Sequence, residues 1–112
     1  MTPYRRGDVL LVWFPHSDLR TFKRRPAVMI QRDGLNTGLP QVVLALVTSN
    51  LKRAGHPSRV LIERSAGNGL LTDSVVMTDN IATILAKAID RRLGRLKEMG
   101  RVDEALRLTL GV

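Results

Sequence analysis

Cysteine is absent from this chain of 112 residues, and it has only two histidines, His16 and His56. Disulfides, thiolate zinc sites and cysteine nucleophiles are therefore excluded, as is a histidine-rich metal cluster. Aromatic residues make up only 4%, which argues against a strand face that stacks RNA bases. Long apolar runs are also lacking. Val42 to Val47 is the longest run of Ala, Val, Ile and Leu, far below the roughly 18 residues of a membrane span.

Negative charge is scarce relative to positive charge. Ten Asp plus Glu face eighteen Lys plus Arg, which gives a formal net charge of +8, and fourteen of these cations are arginine. A guanidinium can bind two phosphate oxygens at once, so this composition favours a nucleic-acid partner, with a merely solubilising surface as the alternative. An apolar content of 44% is typical of a folded protein, and we expect one domain over residues 1–112. The N-terminal residues carry no signal-peptide pattern, which agrees with a cytoplasmic location.

Strand patterns dominate the first half of the sequence. Apolar segments bounded by Gly, Asp or Pro predict strands at Val9–Phe14, Ala27–Ile30 and Val42–Val47. The third is the most hydrophobic, and we expect it to be covered on both faces. Residues 15–25 are polar and basic and are predicted to form a loop that ends at Pro26.

The second half is less regular. Arg59–Glu63 and Asp73–Asp79 are candidate strands, whereas residues 80–96 combine helical spacing with an extended end and stay ambiguous. A C-terminal helix is predicted with Gly111 as its cap; its apolar face consists of Met99, Val102, Leu106 and Leu110. Short strands with Gly and Pro between them and one terminal helix predict a mainly β protein, a small β-barrel carrying a helix.

Six short motifs occur in order along the chain. They are Arg6-Gly7-Asp8-Val9 with Trp13-Phe14-Pro15, Arg24-Arg25-Pro26-Ala27-Val28, Thr48-Ser49-Asn50, Ser74 to Asp79, Arg92 to Leu96, and Val102 to Leu108. Together they resemble the MazF/PemK/Kid family of toxin endoribonucleases, over nearly the whole chain. The resemblance implies the Src-homology-three-like barrel of the CcdB/Kid/MazF plasmid-maintenance toxins, with strands near Val76–Thr83 and Arg92–Leu96.

The same resemblance implies a function. The chain would be the toxin of a type II toxin–antitoxin pair and a sequence-specific endoribonuclease of the prokaryotic cytoplasm. It would cleave single-stranded RNA without metal or cofactor, by attack of the 2′-OH, and leave 2′,3′-cyclic phosphate and 5′-OH ends. A homodimer and a small MazE/PemI-like antitoxin are the implied partners, and no membrane is involved.

Four residues are candidates for catalysis. Arg25 matches the family's essential arginine, and its guanidinium can stabilise the charge that develops on the phosphoryl oxygens. Thr48 matches a second essential position, where its hydroxyl can donate to a phosphate oxygen or hold the 2′-OH. In the first loop, His16 has a suitable pKa for proton transfer and Ser17 can orient the phosphate, but which residue is the general base stays open.

Eight further residues are candidates for RNA binding: Phe22, Lys23, Arg24, Ser49, Asn50, Lys52, Arg53 and Asp79. Arg59 is a further expected backbone contact. Strand alternation should point Arg24 away from Arg25, so we expect Arg24 to matter less. Some relatives carry an arginine two residues before the position of Asp79, but Met77 stands there in this sequence.

Two other functions are compatible with the same fold. A CcdB-type gyrase poison relies on a C-terminal Trp-Gly-Ile, whereas this sequence reads Leu110-Gly111-Val112 and has a single tryptophan at position 13. A non-catalytic RNA-binding barrel would bind RNA without cleaving it, and the unassigned general base keeps this alternative open.

Overall fold

The computed structural model describes residues 2–15 and 20–112. It contains one antiparallel sheet in the strand order β4-β5-β3-β2-β1-β6. The strands are β1 Asp8–Pro15, β2 Phe22–Met29, β3 Gln41–Thr48, β4 Arg59–Ile62, β5 Ser74–Leu85 and β6 Ile89–Arg95. One α-helix, α1, spans Met99–Leu110, and short 3-10 turns occupy Leu51–Arg53 and Ala86–Ala88.

The predicted strands are present, but β2 begins earlier than expected. Residues 22–25, predicted as loop, pair with β1, and Arg25 lies opposite Val12. Pairing of β2 with β3 starts only at Ala27, so the polar part of β2 has a neighbour on one side only. Pro26 lies one residue before the pairing of β2 with β3 begins, so its missing backbone N–H costs no hydrogen bond to β3.

The ambiguous segment 80–96 is extended. β5 continues to Leu85, residues 86–88 form a 3-10 turn, and β6 follows. This confirms the strands that the family resemblance implied. The helical spacing does not mark one buried face: Ile84 and Ile89 pack in the second core, whereas Ile81 and Leu85 are exposed.

Apolar side chains form a core on each face of the sheet. The first core lies beneath α1 and includes Val9, Val28, Ala45 and Val47. The second core contains the alternate residues of the same strands, such as Leu10, Ala27, Met29, Val42 and Leu44. The prediction that β3 is covered on both faces is therefore confirmed.

Helix α1 buries Val102, Ala105 and Leu106 against the first core. Leu110, predicted on the buried face, is 57% exposed, because it lies in the last turn, beyond the part of the sheet that α1 covers. Gly111 ends the helix in the left-handed conformation, as predicted, and its N–H donates to the Arg107 carbonyl. Within the described residues, no helix has the length and apolarity needed to cross a membrane.

The mainly β fold with a C-terminal helix is confirmed, but the sheet does not close into a barrel. Among the residues described, β4 and β6 are not paired with each other. The turn at residues 65–69 lies against β6 instead, and the Arg95 N–H donates to the Gly67 carbonyl. Asn68 is buried in this turn and its Oδ1 accepts the N–H groups of Ser65 and Leu70.

A buried carboxylate joins β1 to β6. Asp8 is 3% exposed, and its Oδ1 accepts from Arg92 Nε at 3.1 Å and Arg95 Nη1 at 2.9 Å. Its Oδ2 accepts the Arg5 N–H. The two arginines compensate the charge of Asp8, and both of its carboxylate oxygens accept hydrogen bonds.

Candidate active site

Arg25 of β2, Thr48 of β3 and Asp79 of β5 point to the face of the sheet opposite α1. Side chains of adjacent strand residues point to opposite faces. Val28 and Val47 contribute to the core under α1, so Arg25 and Thr48, an odd number of residues away, lie on the other face. The same alternation applies to Asp79, because its neighbour Thr78 contacts Thr109 of α1 at 2.9 Å.

Arg59 of β4 belongs to this face too. Val60 and Ile62 of the same strand are buried in the core beneath α1, so the alternating residues Arg59 and Leu61 point to the other face. Leu61 is 47% exposed. We call the surface formed by Arg25, Thr48, Arg59 and Asp79 the basic face.

Arg25 is an exposed arginine without an acidic partner among the described residues. Its side chain forms no hydrogen bond or ion pair with any residue in the described ranges. Arg24 differs: it stacks on the Trp13 ring at 5.5 Å and donates to Asp90 at 3.2 Å. The prediction that Arg24 points away from Arg25 is confirmed, and the guanidinium of Arg25 remains available for an anion.

Thr48 is the last residue of β3 and lies on the same face of the sheet as Arg25, beyond the end of the β2–β3 pairing at Ala27 and Leu46. Thr48 Oγ1 accepts the Asn50 N–H at 3.1 Å, which fixes the side chain and leaves its hydroxyl proton to donate elsewhere. Asn50 Oδ1 in turn accepts the Lys52 N–H at 3.2 Å and begins the 3-10 turn.

Asp79 is bound by Arg59 and is not an isolated carboxylate. Arg59 Nη2 donates to Oδ2 at 2.7 Å, and Nε donates to Oδ1 at 3.1 Å and Oδ2 at 3.3 Å. The hydrogen bonds from Arg59 lower the pKa of Asp79, and the same contact raises the pKa of Arg59. In the strand register Arg59 faces Met77, so a guanidinium is present beside the position where some relatives carry their second arginine.

The other candidate site residues lie on both faces of the sheet or outside the described residues. Ser49, Asn50, Lys52 and Arg53 are exposed beyond the end of β3, next to Thr48. Lys23 shares the alternation of Arg25, whereas Phe22, 58% exposed, shares that of Arg24 and so points away from the basic face. His16 and Ser17 lie outside the described residues, and their catalytic roles stay predictions.

His56 was not singled out by the sequence analysis. Its Nδ1 accepts the Ser58 N–H at 3.1 Å and lies 2.6 Å from Ser58 Oγ. An electrostatic interaction with His56 is the last of the causes that lower the pKa of Asp79, so the ring lies near the Arg59–Asp79 pair. The only local signal is the sequence His56-Pro57-Ser58, a common turn pattern that indicates no particular chemistry.

The lowered pKa of Asp79 makes one contribution to stability depend on pH. A carboxylate whose pKa is lower in the folded state stabilises the fold above its unfolded pKa, and this contribution is lost as the pH falls through the folded value. We therefore expect Asp79→Asn to lower the free energy of unfolding at pH 7 and to differ less from wild type at pH 3. Urea unfolding at the two pH values measures this difference.

The Arg59→Ala background provides the control for that experiment. Because Arg59 is the main cause of the lowered pKa, Asp79→Asn should show little pH-dependent effect there. An equal loss of stability at pH 7 and pH 3 in the wild-type background would contradict the prediction.

The open six-stranded antiparallel sheet with one C-terminal helix and exposed arginines on the opposite face defines a class of small β proteins. The sequence matches the family model of the PemK-like, MazF-like toxins of type II toxin–antitoxin systems over residues 5–110. The chain belongs to this family.

Solved structures share the fold along nearly the whole chain. An endoribonuclease in complex with its cognate antitoxin from a mycobacterial species is 25% identical, with a TM-score of 0.76 and coverage of 97% of this chain and 96% of that one. The Mycobacterium tuberculosis toxin MazF-mt6 is also 25% identical, with a TM-score of 0.75 and coverage of 94% and 97%. MazF from Deinococcus radiodurans is 20% identical and shares the fold, with a TM-score of 0.74 and full coverage of both chains.

Proposed function

We propose that this toxin is an endoribonuclease that cleaves single-stranded RNA at specific sequences without a metal ion. The observation that carries the proposal is the exposed guanidinium of Arg25, which has no partner among the described residues and lies on the same face of the sheet as the fixed hydroxyl of Thr48. Two similar structures of the same fold support it: one is named an endoribonuclease and the other a toxin. A homodimer in the prokaryotic cytoplasm and a small antitoxin, as in the mycobacterial complex, are part of the proposal.

Cleavage of this kind uses the RNA's own 2′-OH as the nucleophile. The 2′-oxygen bonds to phosphorus, the bond from phosphorus to the 5′-oxygen breaks, and a cyclic phosphate and a 5′-OH result. The protein must hold the 2′-oxygen in line, neutralise the phosphoryl oxygens and move a proton at each end.

We assign these tasks to residues as follows. The Arg25 fork binds two phosphoryl oxygens and follows the charge that develops on them; it stays protonated and so is not the base. Thr48 donates its hydroxyl to a phosphate oxygen or orients the 2′-OH. His16 and Ser17 are proposed for proton transfer and phosphate orientation in the first loop.

The test is incubation of purified protein with a long unstructured RNA in EDTA, with the ends of the products mapped. Discrete cuts that leave 2′,3′-cyclic phosphates are the expected result. Intact RNA together with salt-sensitive binding would instead support the non-catalytic RNA-binding protein. The cut sites would also reveal the sequence motif, which no residue described above determines.

A further inference from the structure

We propose that Asp79 and Arg59 form one preorganised phosphate-binding unit, in which Arg59 binds an RNA phosphate next to the scissile one and Asp79 holds Arg59 in position without touching RNA. This inference rests on the proposed function, because it assigns a second phosphate subsite to the same RNA. It changes the role of Asp79 from an RNA contact to a positioning residue.

The first argument is that the guanidinium of Arg59 is fixed on one side. Nε and Nη2 bind both oxygens of Asp79, and Nη1 donates to the Arg53 carbonyl at 3.1 Å. These contacts connect β4, β5 and the turn after β3, so the arginine cannot rotate without breaking contacts to two segments. Less conformational entropy is then lost when a ligand binds.

The second argument is that the Arg59 guanidinium uses only part of its capacity to donate hydrogen bonds. A guanidinium has five N–H groups, and three of them have partners in the described part of the chain, which leaves one on Nη1 and one on Nη2. The Arg59 side chain is 22% exposed, so solvent and ligands reach it. Two neighbouring N–H groups of an arginine match two oxygens of a phosphate.

The third argument concerns distance. Arg25 lies on β2 and Arg59 on β4, and two strands, β3 and β5, separate them. Three inter-strand spacings amount to about 14 Å between the backbones of β2 and β4, and the fork of Arg59 is held at Asp79 of β5 and not at Arg25. Arg59 therefore serves another phosphate of the same strand, and its loss should raise KM while kcat is largely kept.

The fourth argument is the surrounding charge. Lys52 and Arg53 are exposed in the turn that Arg59 contacts, and both add positive potential. Asp79, the carboxylate that Arg59 binds, is engaged on both oxygens. An extended polyanion that starts at Arg25 can therefore pass Thr48 and continue over the turn toward Arg59.

The experiment measures binding of a fluorescently labelled, mixed-sequence single-stranded RNA that carries 2′-O-methyl groups and so cannot be cleaved. We expect Arg59→Ala to weaken binding about tenfold, the effect of losing one charge-assisted pair of hydrogen bonds. The dependence of log Kd on log salt should become shallower by about 0.7, the value for one lost phosphate contact on a single strand. Arg59→Lys should keep most of the salt dependence and recover only part of the affinity.

Arg91→Ala is the matched control. It removes the same charge from an exposed arginine of β6, at the opposite end of the strand order, and should bind with wild-type affinity. Equal weakening by Arg59→Ala and Arg91→Ala would reduce the effect to net charge and overturn the proposal. Wild-type affinity and salt dependence in both Arg59 variants would overturn it as well.

Cleavage kinetics separate this inference from the proposed function. On cleavable RNA, Arg59→Ala and Asp79→Asn should both raise KM with little change in kcat. A fall in kcat with unchanged KM in both variants would overturn the assignment to a neighbouring phosphate. If the wild type cuts no RNA, the proposed function fails, whereas the binding experiment still decides whether Arg59 contacts a phosphate.

Discussion

Replacing Arg25 with alanine is expected to lower the rate constant of RNA cleavage at saturation by at least about 100-fold, the usual effect of removing one preorganised donor to the developing charge. The fold should be unaffected, because the side chain is exposed and has no partner among residues 2–15 and 20–112. Single-turnover cleavage in EDTA measures the rate, and circular dichroism with thermal unfolding checks the fold.

Arg25→Lys refines the interpretation. Lysine keeps the charge but not the planar fork, so it should recover only a small part of the rate. Arg24→Ala, which alters the adjacent residue on the other face, should reduce the rate far less. If Arg25→Ala cleaves RNA as fast as wild type, or if Arg24→Ala has the larger effect, the catalytic assignment is wrong.

Replacing Gly69 with alanine is expected to lower the free energy of unfolding by about 3 kcal/mol or more, as for other substitutions that force a buried backbone apart. Gly69 has a φ of +69°, and a Cβ there would lie 2.1 Å from the Leu93 carbonyl oxygen and 2.7 Å from the Leu93 carbonyl carbon. Backbone atoms cannot yield as a flexible side chain can, so the turn at residues 65–69 must move away from β6. For a domain of this size the melting temperature should fall by roughly 10 °C or more.

Gly38→Ala separates this clash from backbone strain. Gly38 has a similar φ of +75°, but a Cβ there meets no heavy atom within 4 Å. It should therefore lose only the roughly 1–2 kcal/mol of a left-handed conformation. Urea unfolding of the two variants gives the comparison, and equal destabilisation would show that the close approach to Leu93 has no effect.

Strands with continuous apolar runs could be predicted from the sequence, whereas their polar extensions could not. β1 and β3 match their predicted positions because each is a buried run with clear boundaries. Residues 22–25 looked like a loop because they are charged, yet pairing with β1 alone suffices to hold them in a strand. Periodicity left the segment 80–96 ambiguous because exposed apolar residues, Ile81 and Leu85, add to the buried ones and imitate a helical spacing.

Within the candidate site, local alternation was predictable and long-range pairing was not. The opposite orientation of Arg24 and Arg25 follows from their being neighbours in a strand, whatever the fold. The Arg59–Asp79 contact joins residues 20 positions apart, and only the register of β4 on β5 brings them together. A single sequence does not reveal that register, so Asp79 and Arg59 were each predicted as RNA contacts and their pairing was not predicted.

The pairing of β1 with β6 has a consequence for the order in which the molecule is assembled. Asp8 reaches Arg95 across 87 positions of sequence, so β1 can have both of its neighbours only after β6 has been synthesised. Contacts of such long sequence separation slow down folding. Until β6 is available, β1 can pair with β2 alone, and the edge of the sheet that β6 covers stays open.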